Sequence, residues 1–302
     1  MSVPEKETVM FSRFKGGYGV SEDYLALHDF LLEAECEVFT YARLDWMITH
    51  RPYLEEENLS KIGLWRENGK IVAADVFDTT LDDVYPLCLP GYERLYPRLI
   101  AYALDGMRVG NPDFHLMIDE RNEPLKRLAW LAGLAPTDFC DRAARIDLDE
   151  DDPLSAPLPD GFRITDLSET RDYRQYLLCL HRGFGHEEAG EPFVWNGEAE
   201  KSARAALERT HADLTLKLNV VAPNGEFACH CGFWHDSRAR LSLIEPLATV
   251  PAYRRMGLAR ALVTEGLRRV RARGARFAVV GSSQPFYYAV GMRPSAVFRG
   301  WA

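Results

Sequence analysis

The feature that most constrains this chain is an internal repeat. Five short stretches of its first half recur in its second half, in the same order and at separations of about 149 to 163 residues. Each match is weak alone, but five in order predict two copies of one domain. The matched pairs are Asp23-Tyr24 and Asp172-Tyr173, Asn68-Gly69-Lys70 and Asn224-Gly225-Glu226, Pro90–Arg94 and Pro251–Arg255, Phe114 and Phe277, and Gly133–Pro136 and Gly291–Pro294.

Both copies have the same predicted order of elements: strand, two helices, three strands, helix, strand, helix, strand. Asn68-Gly69, between two apolar runs, is a strong hairpin signal. Ser21 fits a helix N-cap. The order predicts an α/β fold with a mixed central sheet flanked by helices in each copy. Residues 149–160 are acidic and proline-rich, which is typical of a linker, so we expect domains at 1–148 and 161–302.

The local patterns place the elements as follows. The predicted helices are 21–39, 42–53, 90–104, 124–131, 171–182, 199–209, 257–273 and 285–290. The predicted strands are a short one within 1–20, then 61–66, 71–77, 83–89, 114–118, 142–148, 162–164, 215–221, 226–234, 241–250, 277–281 and 297–301.

Composition excludes several classes of protein. With 47% apolar residues the chain can bury a large core, and no apolar run reaches the ~18 residues of a membrane helix. The N-terminus lacks the basic start and apolar middle of a signal peptide, so we expect a cytoplasmic protein. A net charge of −9 argues against nucleic-acid binding. It would mildly favour cationic substrates such as amines, although a role in solubility explains it better. The six scattered cysteines suit buried free thiols.

The two copies differ most at the stretch Val250–Ala259, where an apolar strand meets a helical pattern. The first N–H groups of a helix have no partner inside it and carry partial positive charge, so they can bind phosphate. Gly257 would let a phosphate approach the backbone closely. The first copy has Tyr96 at the position of Gly257 and Pro97 after it, which fills the space and removes one donor. We therefore predict one phosphate site, in the second copy.

This stretch resembles motif A of the GCN5-related N-acetyltransferase (GNAT) superfamily, which reads Arg/Gln-x-x-Gly-x-Gly/Ala. Here the motif is Arg254-x-x-Gly257-x-Ala259. Downstream, Tyr287 stands four residues before Gly291, as in the family's second cofactor segment, with Met292 in place of the usual Phe. The match covers residues 161–302 well and residues 1–148 only in layout. The resemblance therefore implies a tandem GNAT protein with a degenerate N-terminal copy.

The resemblance further implies an acetyl-CoA-dependent N-acetyltransferase acting on an amine, carried by a small molecule or a peptide. The pantetheine arm would lie along residues 247–250, in the second copy's fourth predicted strand, and the pyrophosphate would lie on the turn that follows. Tyr287 is the expected acid for the leaving thiolate and Glu245 the expected base, with His230 and His235 as weaker candidates. The expected acetyl-CoA-binding residues are Leu247, Ala248, Thr249, Val250, Arg255, Met256, Gly257, Leu258, Ala259 and Arg260.

Three questions stay open at this stage. The chain could be a non-catalytic acyl-CoA sensor or interaction module instead of an enzyme. Cys229-His230-Cys231, with His235, resembles part of a metal site, although strand packing explains it better and we expect no metal. The loop 184–193 stands where the family builds its acceptor pocket, and its acids could receive a cationic amine. The acceptor and the oligomeric state are not specified by the sequence.

Overall fold

The computed structural model describes residues 9–49, 55–108, 110–148, 156–208 and 212–302. The chain divides into two compact units. Unit 1 comprises residues 1–143, 281–283 and 294–302, and unit 2 comprises residues 144–280 and 284–293. No helix among the described residues is both long and apolar enough to cross a membrane.

Strands and helices follow one another in nearly the same order in both halves of the chain. The strands are β1 (Met10–Arg13), β2 (Gly63–Glu67), β3 (Lys70–Phe77), β4 (Asp83–Cys88), β5 (His115–Asp119), β6 (Pro136–Asp147), β7 (Arg163–Asp166), β8 (Lys217–Val221), β9 (Phe227–Trp234), β10 (Leu241–Thr249), β11 (Phe277–Val280) and β12 (Arg293–Trp301). The helices are α1 (Glu22–Ala34), α2 (Tyr41–Thr49), α3 (Glu56–Leu59), α4 (Tyr96–Tyr102), α5 (Glu123–Leu131), α6 (Leu167–Thr170), α7 (Tyr173–Gly183), α8 (Gly197–Leu207), α9 (Leu258–Ala272) and α10 (Pro285–Ala289).

Unit 1 contains a mixed sheet in the order β1-β2-β3-β4-β5-β12-β6. β2 and β3 form the hairpin predicted at Asn68-Gly69, and both turn residues have positive φ, as a tight primed turn requires. β4 and β5 are parallel, and the C-terminal strand β12 pairs antiparallel with β5. The last strand of the sequence is thus part of the unit formed mainly by the first half.

Unit 2 has the order β6-β11-β10-β9-β8-β7, with β6 contributing its residues from Ala144. β10 and β11 are parallel, and β9 is antiparallel to β10. Helix α9 packs on this sheet through an apolar face that includes Leu262 and Leu267. Its fit is close, because a Cβ on Gly266 would lie 1.9 Å from the ring of Phe233.

The predicted repeat agrees with the observed order of elements. Each half runs strand, helices, three strands, helix, strand, helix, strand, with the short helices α3 and α6 as additions that the patterns did not predict. A further equivalence lies in the third of the three consecutive strands. Pro86 of β4 is opposite Asp75 of β3, and Pro246 of β10 lies where β10 bulges opposite Gly232 of β9.

Several predicted bounds were wrong for local reasons. The helix predicted over 21–39 begins after the Ser21 N-cap but stops at Ala34, because Glu35 adopts a left-handed conformation. The helix predicted from Pro90 begins at Tyr96, after a 3₁₀ turn. Strand β6 is twelve residues long and begins six residues before its predicted start. The predicted ends of two helices, at 50–53 and 209, and linker residues 149–155 lie outside the described residues.

Candidate active site

Strands β10 and β11 diverge after a short parallel contact. Their pairing joins Leu241, Ser242 and Leu243 of β10 to residues 277–279 of β11. Beyond it, Leu247, Ala248 and Thr249 pair with β9 on the other side. Val250 N–H donates to Ala228 O, so by strand alternation the backbone groups of Leu247 and Thr249 face the diverging side. Such an open strand edge can accept an extended ligand through backbone hydrogen bonds.

The turn after β10 has the shape predicted from Gly257. Gly257 adopts φ +82° directly before α9, and Arg255 is also left-handed at φ +67°. The first backbone bond of the helix is donated by Ala261 N–H to Gly257 O, so the N–H groups of residues 258–260 have no intrahelical acceptor. The turn is exposed at Arg255 and Met256. Free donors, the helix dipole and an accessible backbone together suit an anion.

Two arginines tie this turn to its neighbours. Arg254 donates from Nε to Thr249 O at 3.3 Å and from Nη2 to Gly183 O at 3.1 Å. The guanidinium of Arg260 donates to Ala289 O at the end of α10. Arg254 therefore holds the end of β10 against the last turn of α7, and Arg260 connects the start of α9 to the helix that carries Tyr287.

The bulge in β10 places Glu245. The register against β9 shifts between Ile244 and Leu247, so Glu245 and Pro246 lie opposite the single residue Gly232. Glu245 O accepts a hydrogen bond from Trp234 Nε1 at 3.0 Å. A Cβ on Gly232 would lie 2.4 Å from that same oxygen. A bulge of this kind redirects a side chain, and this one requires glycine on the neighbouring strand.

Tyr287 lies in α10 and is 8% exposed. Burial raises the pKa of its hydroxyl well above the ordinary value, and the nearby Cys231 and Glu245 raise it further. The two predicted catalytic side chains, Tyr287 and Glu245, are therefore close enough to interact electrostatically. A phenol held in its protonated form can donate a proton to a thiolate.

The two weaker base candidates, His230 and His235, do not both lie near Tyr287 and Glu245. His230 is fully buried, and its Nδ1 lies 2.8 Å from Asn219 Oδ1. Burial, with help from Lys217, lowers the pKa of His230 to about 3. His235 lies at the other end of β10, where its ring nitrogens are 3.3 Å from Leu241 O and 3.4 Å from Arg273 O.

The cluster Cys229-His230-Cys231 is explained by strand packing. Cys229 Sγ lies 3.2 Å from Thr249 Oγ1, and Cys231 packs in the core beside Tyr287. Burial raises the pKa of both thiols. Within the described parts of the chain, no three His, Cys, Asp or Glu side chains are grouped so that they could hold a metal ion.

The other predicted binding residues divide into exposed and packed ones. Leu258 is 2% exposed and Val250 is 7% exposed, so these two can offer their backbone but not their side chains. Ala248 packs against Gly183, where an added Cβ would lie 2.7 Å from Ala248 Cβ. Leu247, Thr249 and Ala259 are half-buried.

The loop after α7 begins beside this site, because Gly183 contacts Ala248 and the backbone of Thr249. Its acids are exposed, and two of them make internal contacts. His186 Nδ1 lies 2.8 Å from Glu191 Oε2, and Arg182 Nε lies 3.2 Å from Glu187 Oε2. Phe184 is 55% exposed. The loop thus offers both carboxylates and apolar surface.

Sequence reasoning missed three residues that shape the site, Gly183, Gly232 and Trp234. It also missed the contacts made by Arg254, although it named that residue as part of the motif. A glycine inside a strand pattern, as in Cys231-Gly232-Phe233, is a signal of close backbone approach and could have indicated Gly232. The contacts of Trp234 and Arg254 join distant parts of the sequence and have no local signal.

Comparison with known proteins connects this geometry to a family. Residues 182–292 match the family model described as Acetyltransferase (GNAT) family. A search of curated protein sequences found no match.

Solved structures resemble nearly the whole chain in fold. A GCN5-related N-acetyltransferase from Sphaerobacter thermophilus has 16% sequence identity and a TM-score of 0.58, covering 99% of this chain and 96% of that chain. A tandem GNAT protein from the clavulanic acid biosynthesis pathway has 14% identity and a TM-score of 0.57, covering 97% of this chain and 98% of that one. A GNAT-family acetyltransferase from Colwellia psychrerythraea has 8% identity and a TM-score of 0.56, covering 97% and 100%.

Sequence identities this low are informative about the fold alone. The match to the family model is a separate similarity in sequence, and it covers residues 182–292. Its range, 182–292, contains the turn at Gly257, the bulge at Glu245 and Tyr287. Residues 182–292 are thus similar to the acetyltransferase (GNAT) family, and the chain has a mixed α/β fold similar to that of a tandem GNAT protein.

Proposed function

We propose that the second copy, residues 161–302, is an acetyl-CoA-dependent N-acetyltransferase and that the first copy, residues 1–148, is a degenerate GNAT-like domain. The observation that carries this proposal is the turn at Gly257. It joins an open strand edge at Leu247–Thr249 to a helix start with free N–H groups. This arrangement suits a ligand with an extended amide-containing arm and a pyrophosphate, as in acetyl-CoA.

The reaction proposed is direct attack of a neutral amine on the thioester. The amine nitrogen forms the new C–N bond while the C–S bond breaks. Glu245 takes the proton that the nitrogen loses, and Tyr287 donates a proton to the departing sulfur. The hydroxyl of Tyr287 is protonated at neutral pH, because burial raises its pKa further above the ordinary value. The N–H groups of residues 255–260 would hold the pyrophosphate.

The acceptor proposed is a small cationic amine. This rests on the exposed acids of the loop after α7, Glu187, Glu188 and Glu191, and on the contact of Gly183 with Ala248 and Thr249. A negatively charged entrance raises the local concentration of ammonium compounds. Such an amine loses one proton to solvent before it attacks, and Glu245 takes the second proton as the C–N bond forms.

The test is acetyl transfer to a panel of amines, with CoA release and CoA binding measured separately. Tyr287→Phe should lower kcat by about 10²-fold or more, in the range of a lost general acid, while CoA affinity stays within about twofold. Phenylalanine keeps the ring and therefore the packing. Unchanged turnover in Tyr287→Phe would remove Tyr287 as the acid. CoA binding without transfer to any amine would favour an acyl-CoA sensor instead.

A further inference from the structure

Unit 1 contains a cavity of about 220 Å³. It lies where β4 and β5 diverge, because their parallel pairing joins Asp83 to His115 and Val84 to Leu116 and extends no further. Leu87 and Cys88 of β4 and Met117 of β5 line it. The position is the counterpart, in the first copy, of the diverging strands β10 and β11.

Tyr96 lines this cavity on the side where the second copy has its glycine turn. It is the first residue of α4, with φ −49°, where the second copy has Gly257 at φ +82°. Its side chain is 8% exposed, and its hydroxyl accepts a hydrogen bond from Asn122 Nδ2 at 2.9 Å. Asn122 also caps α5 by accepting from Leu125 N–H. This turn therefore cannot bind the phosphate groups of a ligand, and a ligand must fit within the cavity itself.

The size of the cavity limits the ligand. A cavity of ~150 Å³ holds a benzene-sized molecule, so this one has room for about nine non-hydrogen atoms. Apolar side chains contribute part of the lining, among them Leu87, Met117 and Phe298. A short hydrocarbon chain would cover these surfaces and remove them from water.

The charged side chains that line the cavity determine whether it favours a positively or a negatively charged ligand. Three carboxylates, Glu35, Glu37 and Asp119, line the cavity together with one guanidinium, that of Arg121. Arg121 is already bound to Asp119, with Nη2 2.6 Å from Oδ2. Burial raises the pKa of the Cys36 thiol to about 11, and the charges of Asp119 and Glu37 add to the rise. The interior potential is therefore negative and favours a cation.

We propose that this cavity binds a small organic cation, an alkylammonium compound of up to about nine non-hydrogen atoms. The ammonium would pair with the carboxylates near Glu37, and its carbon chain would lie on the apolar lining. This site needs neither acetyl-CoA nor any residue of 182–292, so it is separate from the proposed transferase site. The site gives unit 1, where Tyr96 stands in place of the glycine of the phosphate-binding turn, a binding function of its own.

The test measures alkylation of Cys36 by iodoacetamide in the full chain, resolved by peptide mass spectrometry at about pH 9. The probes are hexylammonium, 1-hexanol and hexanoate, and the amine remains charged at this pH. Cys140, which does not line the cavity, is the internal control. We expect saturating hexylammonium to slow alkylation of Cys36 at least threefold and leave Cys140 unchanged. Equal protection by 1-hexanol, or none by the amine, would overturn the proposal.

Two variants locate the effect. Glu37→Gln should raise the amine concentration needed for half protection about fivefold, the loss expected for one partly exposed ion pair. Gly257→Tyr, which closes the proposed acetyl-CoA site, should leave protection of Cys36 intact. Loss of protection in Gly257→Tyr would place the amine in the second copy and refute a site in unit 1. Absence of acetyl transfer alone would refute only the transferase, and the probe series on the unaltered chain decides the cavity independently.

Discussion

Substitution of Gly232 by alanine should distort the bulge that places Glu245. The new Cβ would lie 2.4 Å from Glu245 O and 3.1 Å from Pro246 Cδ, so backbone atoms of β10 must move by about 1 Å to reach ordinary contact. Overpacking of this kind costs about 1–3 kcal/mol. Loss of the Trp234 Nε1 bond to Glu245 O adds about 1 kcal/mol. We expect a total of about 2–4 kcal/mol.

The assay is chemical denaturation of the full chain followed by fluorescence, with acetyl transfer measured on the same samples. Gly197→Ala is the matched control, because its Cβ would meet nothing within 4 Å and it lies at the start of α8. Alanine there should be neutral or slightly stabilising. The displaced Glu245 should also lower kcat in Gly232→Ala. If the two variants differ by less than about 0.5 kcal/mol, the close approach of Gly232 and Glu245 does not constrain the fold as argued.

Further outcomes follow from single features. His230 is protonated near pH 6.5 in the unfolded chain but only near pH 3 in the folded chain, so the free energy of unfolding falls as the pH drops below 6.5. His230→Gln should flatten that fall by up to about 1.4 kcal/mol per pH unit, measured by urea denaturation at several pH values. An equal slope in the variant and the unaltered chain would contradict the buried neutral histidine. A fragment of residues 161–302 exposes the edge of β11 that residues 144–147 cover, so it should aggregate at concentrations where a fragment of residues 144–293 stays monomeric in light scattering; equal behaviour would refute this. Arg254→Ala removes the bonds to Thr249 O and Gly183 O and should weaken CoA binding several-fold with little change in stability, whereas an affinity equal to that of the unaltered chain would remove Arg254 from the site.

Local signals in the sequence explain much of the fold. The Ser21 cap, the Asn68-Gly69 hairpin and the Gly257 turn each depend on a few adjacent residues, and all three have the predicted backbone. The order of the elements could be predicted because the same short stretches occur, in the same order, in both halves of the chain. Glu35 carries no residue-type signal for a left-handed helix end, since glutamate rarely adopts it, and the helix was therefore predicted too long.

Tertiary contacts explain what the sequence could not provide. Residues 144–148 belong to unit 2 and residues 294–302 belong to unit 1. Both assignments depend on which strands pair, and the pairing partners are distant in sequence. The same holds for the site. Gly257 and Tyr287 carry motif signals, whereas the hold of Arg254 on Gly183 spans 71 residues.

The central claim is that one copy keeps the acetyl-CoA site and the other has lost it. Calorimetric titration of the full chain with CoA tests this most directly. We predict one site per chain, abolished in Gly257→Tyr because a tyrosine at φ +82° is strained and covers the helix start. Two sites per chain, or one site that persists in Gly257→Tyr, would contradict the account.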